Sequence, residues 1–176
     1  HSLQSTKLQD QLDVIPLLER HLSFAKYICR GCLKAENSEA LQNELFGWFS
    51  ANIKRLPSHS LHAIFEMFSN NSENRQKVVS EILFNDSHLS HLDPFVLREA
   101  VVAYRTSLSA DDIEDLLQMI TKHNNSWAIR GVAYCIWRGN QFSQKEKQAR
   151  LGKLAANYKD EFIQFFSKIS HFTNRL

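Results

Sequence analysis

Apolar residues recur three and four positions apart along almost the whole of this chain, and no segment alternates apolar with polar over the length of a strand. That period gathers side chains onto one face of an α-helix, whereas a half-buried strand needs a period of two. Leu18, Leu22, Ala25, Cys29 and Cys32 share one face of a helix expected over 14–34, with Pro16 in its first turn after Asp13. Asn37 or Ser38 caps the next, whose stripe is Leu41, Leu45, Trp48, Phe49 and Ile53. Leu61, Ile64, Phe65 and Phe68 mark a third after the break at Pro57. Val78, Val79, Ile82 and Leu83 mark a fourth opening at Ser72.

After a loop at 85–93, Asp93-Pro94 pairs an N-cap acceptor with a proline at the first helical position. The helix that follows carries Phe95, Leu97, Val101, Val102 and Tyr104. Ser109 with Asp112 opens the next, Asn125 or Ser126 another, and Gly139 supplies an expected left-handed stop. Ser143 and Glu146 form a capping box, and Asp160 opens a last helix with Phe162, Phe165, Phe166 and Ile169. Only 5 glycines and 3 prolines occur in 176 residues, too few for the turns of a β-sandwich. The expectation is an all-α chain of about nine helices in antiparallel pairs, forming one domain over 1–176. It is either a short α-solenoid or an irregular helical bundle.

An internal repeat sharpens this. Phe95-Val96-Leu97-Arg98-Glu99-Ala100-Val101 aligns with Trp127-Ala128-Ile129-Arg130-Gly131-Val132-Ala133 at an offset of 32 residues. The helices that follow align at an offset of 34, bringing Leu117 onto Leu151 and Ile120 onto Leu154. Residues 93–160 resemble HEAT-type helical repeats, best over 110–139. There "DDIEDLLQMITKHNN" resembles a first helix and its turn, and "SWAIRGVAYCIWRGN" a second helix with an aliphatic-Arg pair near its start. Residues 73–107 resemble a looser copy. Residues 143–172 form a divergent unit, and 38–69 a fourth by analogy. The resemblance implies stacked two-helix units sharing one core, with broad surfaces that bind partners and no chemistry in the pattern itself. It also implies an acidic residue about six positions before the arginine. Asn124 stands there for Arg130, and Asp93 precedes Arg98 by five. Recurrence at one place in the repeat points to Arg98 and Arg130 as structural, each with its stem beside the core and its charged tip on a turn carbonyl or side chain.

The net charge of +2 gives no general attraction to nucleic acid or an anionic membrane. No apolar run approaches the roughly 18 residues of a transmembrane helix, so no membrane partner is expected. Three cysteines do not read as a disulfide framework, which favours a reducing, cytoplasmic compartment. The chain begins at His1, with neither methionine nor a signal-peptide pattern, and is expected to be a piece of a larger protein.

Several clusters invite a chemical reading. Cys29 and Cys32 are spaced as CxxC, but no second pair completes a zinc site, and buried thiols are favoured. His59 and His62, with Glu66 one turn on, and His88 with His91 have spacings that can share a metal; surface histidines are favoured. Asp111, Asp112, Glu114 and Asp115 crowd a helix start, where carboxylates complement the dipole. There is no phosphate loop and no nucleophile elbow. No catalytic residue, metal or cofactor is expected.

Trp127 and Trp137 are candidate partner-binding residues, since tryptophan often anchors interfaces. Lys145, Lys147, Arg150 and Lys153, with Tyr158 to stack on a base, are candidates for nucleic acid. The favoured reading is a non-catalytic protein-interaction or scaffold domain, whose partner is another protein or another domain of the parent chain. The alternative is a nucleic-acid-binding accessory domain of a polymerase- or nuclease-type protein. A metal-dependent enzyme ranks third.

Overall fold

A computed structural model of the chain describes residues 14–35, 38–123 and 125–171. The described residues form eleven α-helices with 3₁₀ and π turns between them, and contain no strand. Asp13, Asn37, Asn124 and Phe172 lie outside the described residues. The chain packs as two compact units divided after His91, inside the expected loop.

The first unit holds α1 (Val14–Arg20), α2 (Ala25–Lys34), α3 (Ser38–Asn52), α4 (Ser58–Phe68), α5 (Ser72–Lys77) and α6 (Asp86–Leu89). The single helix expected over 14–34 is interrupted. His21 leaves helical geometry, and Leu22–Phe24 form a 3₁₀ turn before α2 begins. The apolar stripe survives the interruption, with Leu18, Ala25, Cys29 and Cys32 all buried. Ser60 fastens the break by donating to the Leu22 carbonyl at 2.9 Å. Asn71, one residue before the expected start, caps α5 by accepting from the Asn74 amide. That helix widens into a π turn over Val78–Leu83, and Val78, Val79, Ile82 and Leu83 are all buried. The expected loop at 85–93 contains the single turn α6, capped by Asn85. The core is aromatic. Phe49 meets Phe65 and Phe68 at ring separations of 5.4 and 5.5 Å, and Phe46 meets Phe68 at 5.4 Å.

The second unit holds α7 (Pro94–Ala103), α8 (Ala110–Lys122), α9 (Ser126–Arg138), α10 (Gln144–Asn157) and α11 (Glu161–Ser170). Each start follows from its cap. Asp93 accepts from the Phe95 and Val96 amides, Asn125 from that of Ala128, and Asp160 from those of Phe162 and Ile163. Ser109 with Asp112 and Ser143 with Glu146 form reciprocal capping boxes at α8 and α10. Helices α7 and α11 pack on either side of α9; α8 packs against α9, and α10 against α9 and α11.

The α7–α9 contact is close because α9 turns small residues toward α7. A Cβ added to Gly131 would meet the Arg98 carbonyl oxygen at 3.1 Å and the Arg98 Cγ at 3.2 Å. One turn on, the Cys135 thiol donates to the Val101 carbonyl at 3.5 Å. Gly139 ends α9, but in extended geometry (φ −71°, ψ 160°) rather than the left-handed stop expected. Space dictates glycine here: a Cβ would fall 1.9 Å from Gln141 Oε1 and 2.5 Å from the Cys135 carbonyl oxygen. Gln141 needs that room, because its amide donates to the Arg105 and Leu108 carbonyls and ties the α7–α8 connection to the loop after α9.

Gly131→Val should therefore destabilise the protein by about 2 kcal/mol, the ordinary cost of overpacking. Urea unfolding followed by circular dichroism would read this. A midpoint equal to the parent's would contradict the close contact.

Candidate aromatic–arginine surface and an adjoining cleft

The caps fix more than helix starts. Two residues after each cap of α7, α9 and α11 stands a large aromatic: Phe95 after Asp93, Trp127 after Asn125, Phe162 after Asp160. One turn further on in α7 and α9 stand Arg98 and Arg130. Because the three helices lie side by side, these residues interleave. The Arg98 guanidinium lies over Phe95 at 4.8 Å and over Trp127 at 5.6 Å. The Arg130 guanidinium lies over Trp127 at 4.3 Å and over Phe162 at 4.7 Å. The result is a ladder that alternates aromatic and cation across three helices, each rung attracted by the negative face of a ring. Its aromatic members stay substantially open: Phe95 is 47% exposed, Trp127 41% and Phe162 52%.

The two arginines differ in how their charge is met. Arg130 Nε donates to Asp160 Oδ2 at 2.7 Å, with the two side chains 23% and 12% exposed. The other oxygen of Asp160 caps α11. One carboxylate thus starts α11 and holds the arginine of α9. Asn125, the cap of α9, is the counterpart of Asp160 and carries no charge. Arg98 turns instead to its chain neighbour Glu99, donating to Oε1 from Nε at 2.9 Å and also from a terminal nitrogen. The arginine tips rest on side chains, with the Arg130 partner in the turn before α11 rather than in the turn before α9.

Trp137 behaves differently from Trp127, although both are on α9. Trp137 stacks on Phe166 at 5.2 Å with 25° between the planes, and Tyr134 meets Phe166 edge-on at 6.0 Å. It is a packing residue between α9 and α11, while Trp127 belongs to the open ladder. Phe165, one turn after Phe162, is 55% exposed.

The basic residues of α10 do not share one face. At 100° per residue, Lys145 and Lys147 point about 200° apart. Lys147 donates to the Trp137 carbonyl at 3.2 Å. Arg150 donates to Glu114 Oε1 at 2.6 Å and lies over the Phe142 ring at 4.2 Å. The Tyr158 hydroxyl is 3.2 Å from Thr121 Oγ1. Lys145 and Lys153 extend into solvent.

These bonds frame a cleft of about 600 Å³ between α8 and α10. The Arg150–Glu114 ion pair crosses it near one end, and the Tyr158–Thr121 hydrogen bond crosses it near the other. Between them lie Leu117, Leu154 and, from α9, Ile136, with Gln118, Lys122 and Lys153 also in the lining.

The remaining clusters are placed as follows. Cys29 and Cys32 are buried and their thiols are pushed up to about 12 and about 11, chiefly by desolvation, which suppresses the reactive thiolate. Burial likewise pushes the Cys135 thiol up to about 12. His59, His62 and Glu66 are exposed, and desolvation lowers His88 below its ordinary value. Among the described residues no group of three or more His, Cys, Asp or Glu side chains is disposed to hold a metal ion. Asp112 is engaged in the α8 capping box and Glu114 in the ion pair with Arg150. No helix of the described residues is long and apolar enough to cross a membrane.

Compared with models of protein families, with curated proteins and with solved structures, the chain shows no significant match.

The contrast between Asn125 and Asp160 yields a test of the ladder. Asn125→Asp keeps the cap and gives Arg98 the kind of partner that Arg130 has. It should stabilise the protein by about 0.5 to 1 kcal/mol, the range of a good exposed pair. A chemical denaturation midpoint that stays put or falls would show that the two positions are not equivalent.

Proposed function

We propose that this chain is a non-catalytic scaffold built from HEAT-like helix pairs, and that its partner is another protein, or another domain of a larger chain, docking on the aromatic–arginine ladder. The observation that carries this reading is the open stripe Phe95, Trp127 and Phe162 with Arg98 and Arg130 between its rings. Aromatic and arginine side chains are enriched among interface hot spots. The ladder holds its residues in place before any partner arrives, which lowers the ordering cost of binding. The side-by-side order of α7, α9 and α11 and the recurrence of cap, aromatic and arginine support the repeat reading.

The nucleic-acid reading draws on Lys145, Lys147, Arg150, Lys153 and Tyr158. Three of these are engaged within the unit, Lys147 with a carbonyl, Arg150 with Glu114 and Tyr158 with Thr121. A protein partner is therefore favoured. A cytoplasmic location accords with three buried, unpaired thiols, which persist most readily in a reducing compartment.

The test is affinity capture from extract with the parent chain, with Trp127→Ala, and with Phe95→Ser, which leaves the Arg130 contacts in place. Both variants should lose the captured proteins by about tenfold or more, the effect expected of a hot spot. Phe95→Ser should retain the parent's helicity. Capture unchanged in both variants would refute the ladder as the docking surface. Capture abolished by nuclease, or by Lys145→Gln with Lys153→Gln, would favour nucleic acid instead.

A further inference from the structure

We infer that the cleft between α8 and α10 is a binding site for a small amphipathic anion, one with an apolar body about 10 Å long and a single carboxylate, sulfonate or phosphate head. The cleft is separate from the ladder and the inference does not depend on the scaffold reading.

The cleft is crossed by a polar bridge near each end. Both helices run from the Glu114–Arg150 bridge to the Thr121–Tyr158 bridge, so the two bridges stand seven residues apart along α8. At 1.5 Å per residue this is about 10 Å. A helix or extended peptide laid along the groove would have to break one of the bridges. A small molecule lying between them breaks neither. The volume of about 600 Å³ is within the range of small-molecule sites.

Between the bridges Leu117 is half-buried, and the buried side chains of Ile136 and Leu154 complete an apolar lining. Apolar walls with a few placed polar groups are what such sites present. The lining is also positively charged. Glu114 is the single carboxylate of the lining, and it is already paired with Arg150. Lys122 and Lys153 line the same cleft, both exposed. The lining thus holds three cations to one anion, and the excess falls on two flexible ammonium groups able to close on one head group.

The probe is 8-anilinonaphthalene-1-sulfonate, an aromatic sulfonate whose fluorescence rises on leaving water, titrated into the whole chain. Saturable, single-site binding is expected, displaced by decanoate but not by decan-1-ol. Lys122→Gln with Lys153→Gln should weaken it by about tenfold. Gln118→Trp, at an exposed lining position, should fill the cleft and abolish binding while melting behaviour matches the parent's. Absence of saturable binding would overturn the site. So would equal binding by both variants, which would place the probe elsewhere. Displacement by decan-1-ol as effective as by decanoate would overturn the requirement for an anion.

Discussion

The first amides of a helix need acceptors, and at the start of α11 the residue that supplies them also holds α9. Asp160 accepts from the Phe162 and Ile163 amides with one oxygen and from Arg130 with the other. The guanidinium so held lies between Trp127 and Phe162, and Trp127 in turn meets Arg98 over Phe95. Local helix chemistry and the packing of three helices are thus joined at one carboxylate. Exposed ion pairs contribute little alone, but this one is largely shielded and shares its arginine with two rings. The surface of α7, α9 and α11 is in this way ordered without being covered.

The same unit shows how small residues set distance. Gly131 and Cys135 bring α9 against the backbone of α7 at Arg98 and Val101. That approach lets side chains from neighbouring helices interleave. Between α8 and α10 two polar bridges cross instead, and an apolar-lined cleft lies between them. The two surfaces have different chemistry for this reason. One is a stripe of rings and cations, and the other is a bounded basin with surplus positive charge.

Much of this was legible in the chain. The all-helical architecture follows from the apolar period, and the caps Asp93, Ser109, Asn125, Ser143 and Asp160 stand where the spacing puts them. The offset of 32 singled out Arg98 and Arg130. It did not reveal their partners, because the acid that the repeat implies precedes its arginine, while Asp160 comes 30 residues after Arg130. A signal was present nonetheless: each of the three caps precedes its aromatic by two residues. Reading caps and aromatics together would have placed Phe95 and Phe162 beside Trp127. The break at His21 and the extended stop at Gly139 were not legible. The apolar stripe runs through the first, and the second depends on Gln141 folding back from beyond the helix. Trp127 and Trp137 could not be told apart from their spacing, since what separates them is Phe166 on another helix.

The central claim is that Arg130 and Asp160 couple α9 to α11 and hold the open ladder in register. A double-mutant cycle with Arg130→Ala, Asp160→Asn and both together, read by urea unfolding, measures this most directly. Asparagine keeps the cap, so the cycle isolates the pair. The account predicts a coupling of about 1 kcal/mol or more in favour of the native pair. Additive effects, within about 0.3 kcal/mol, would contradict it.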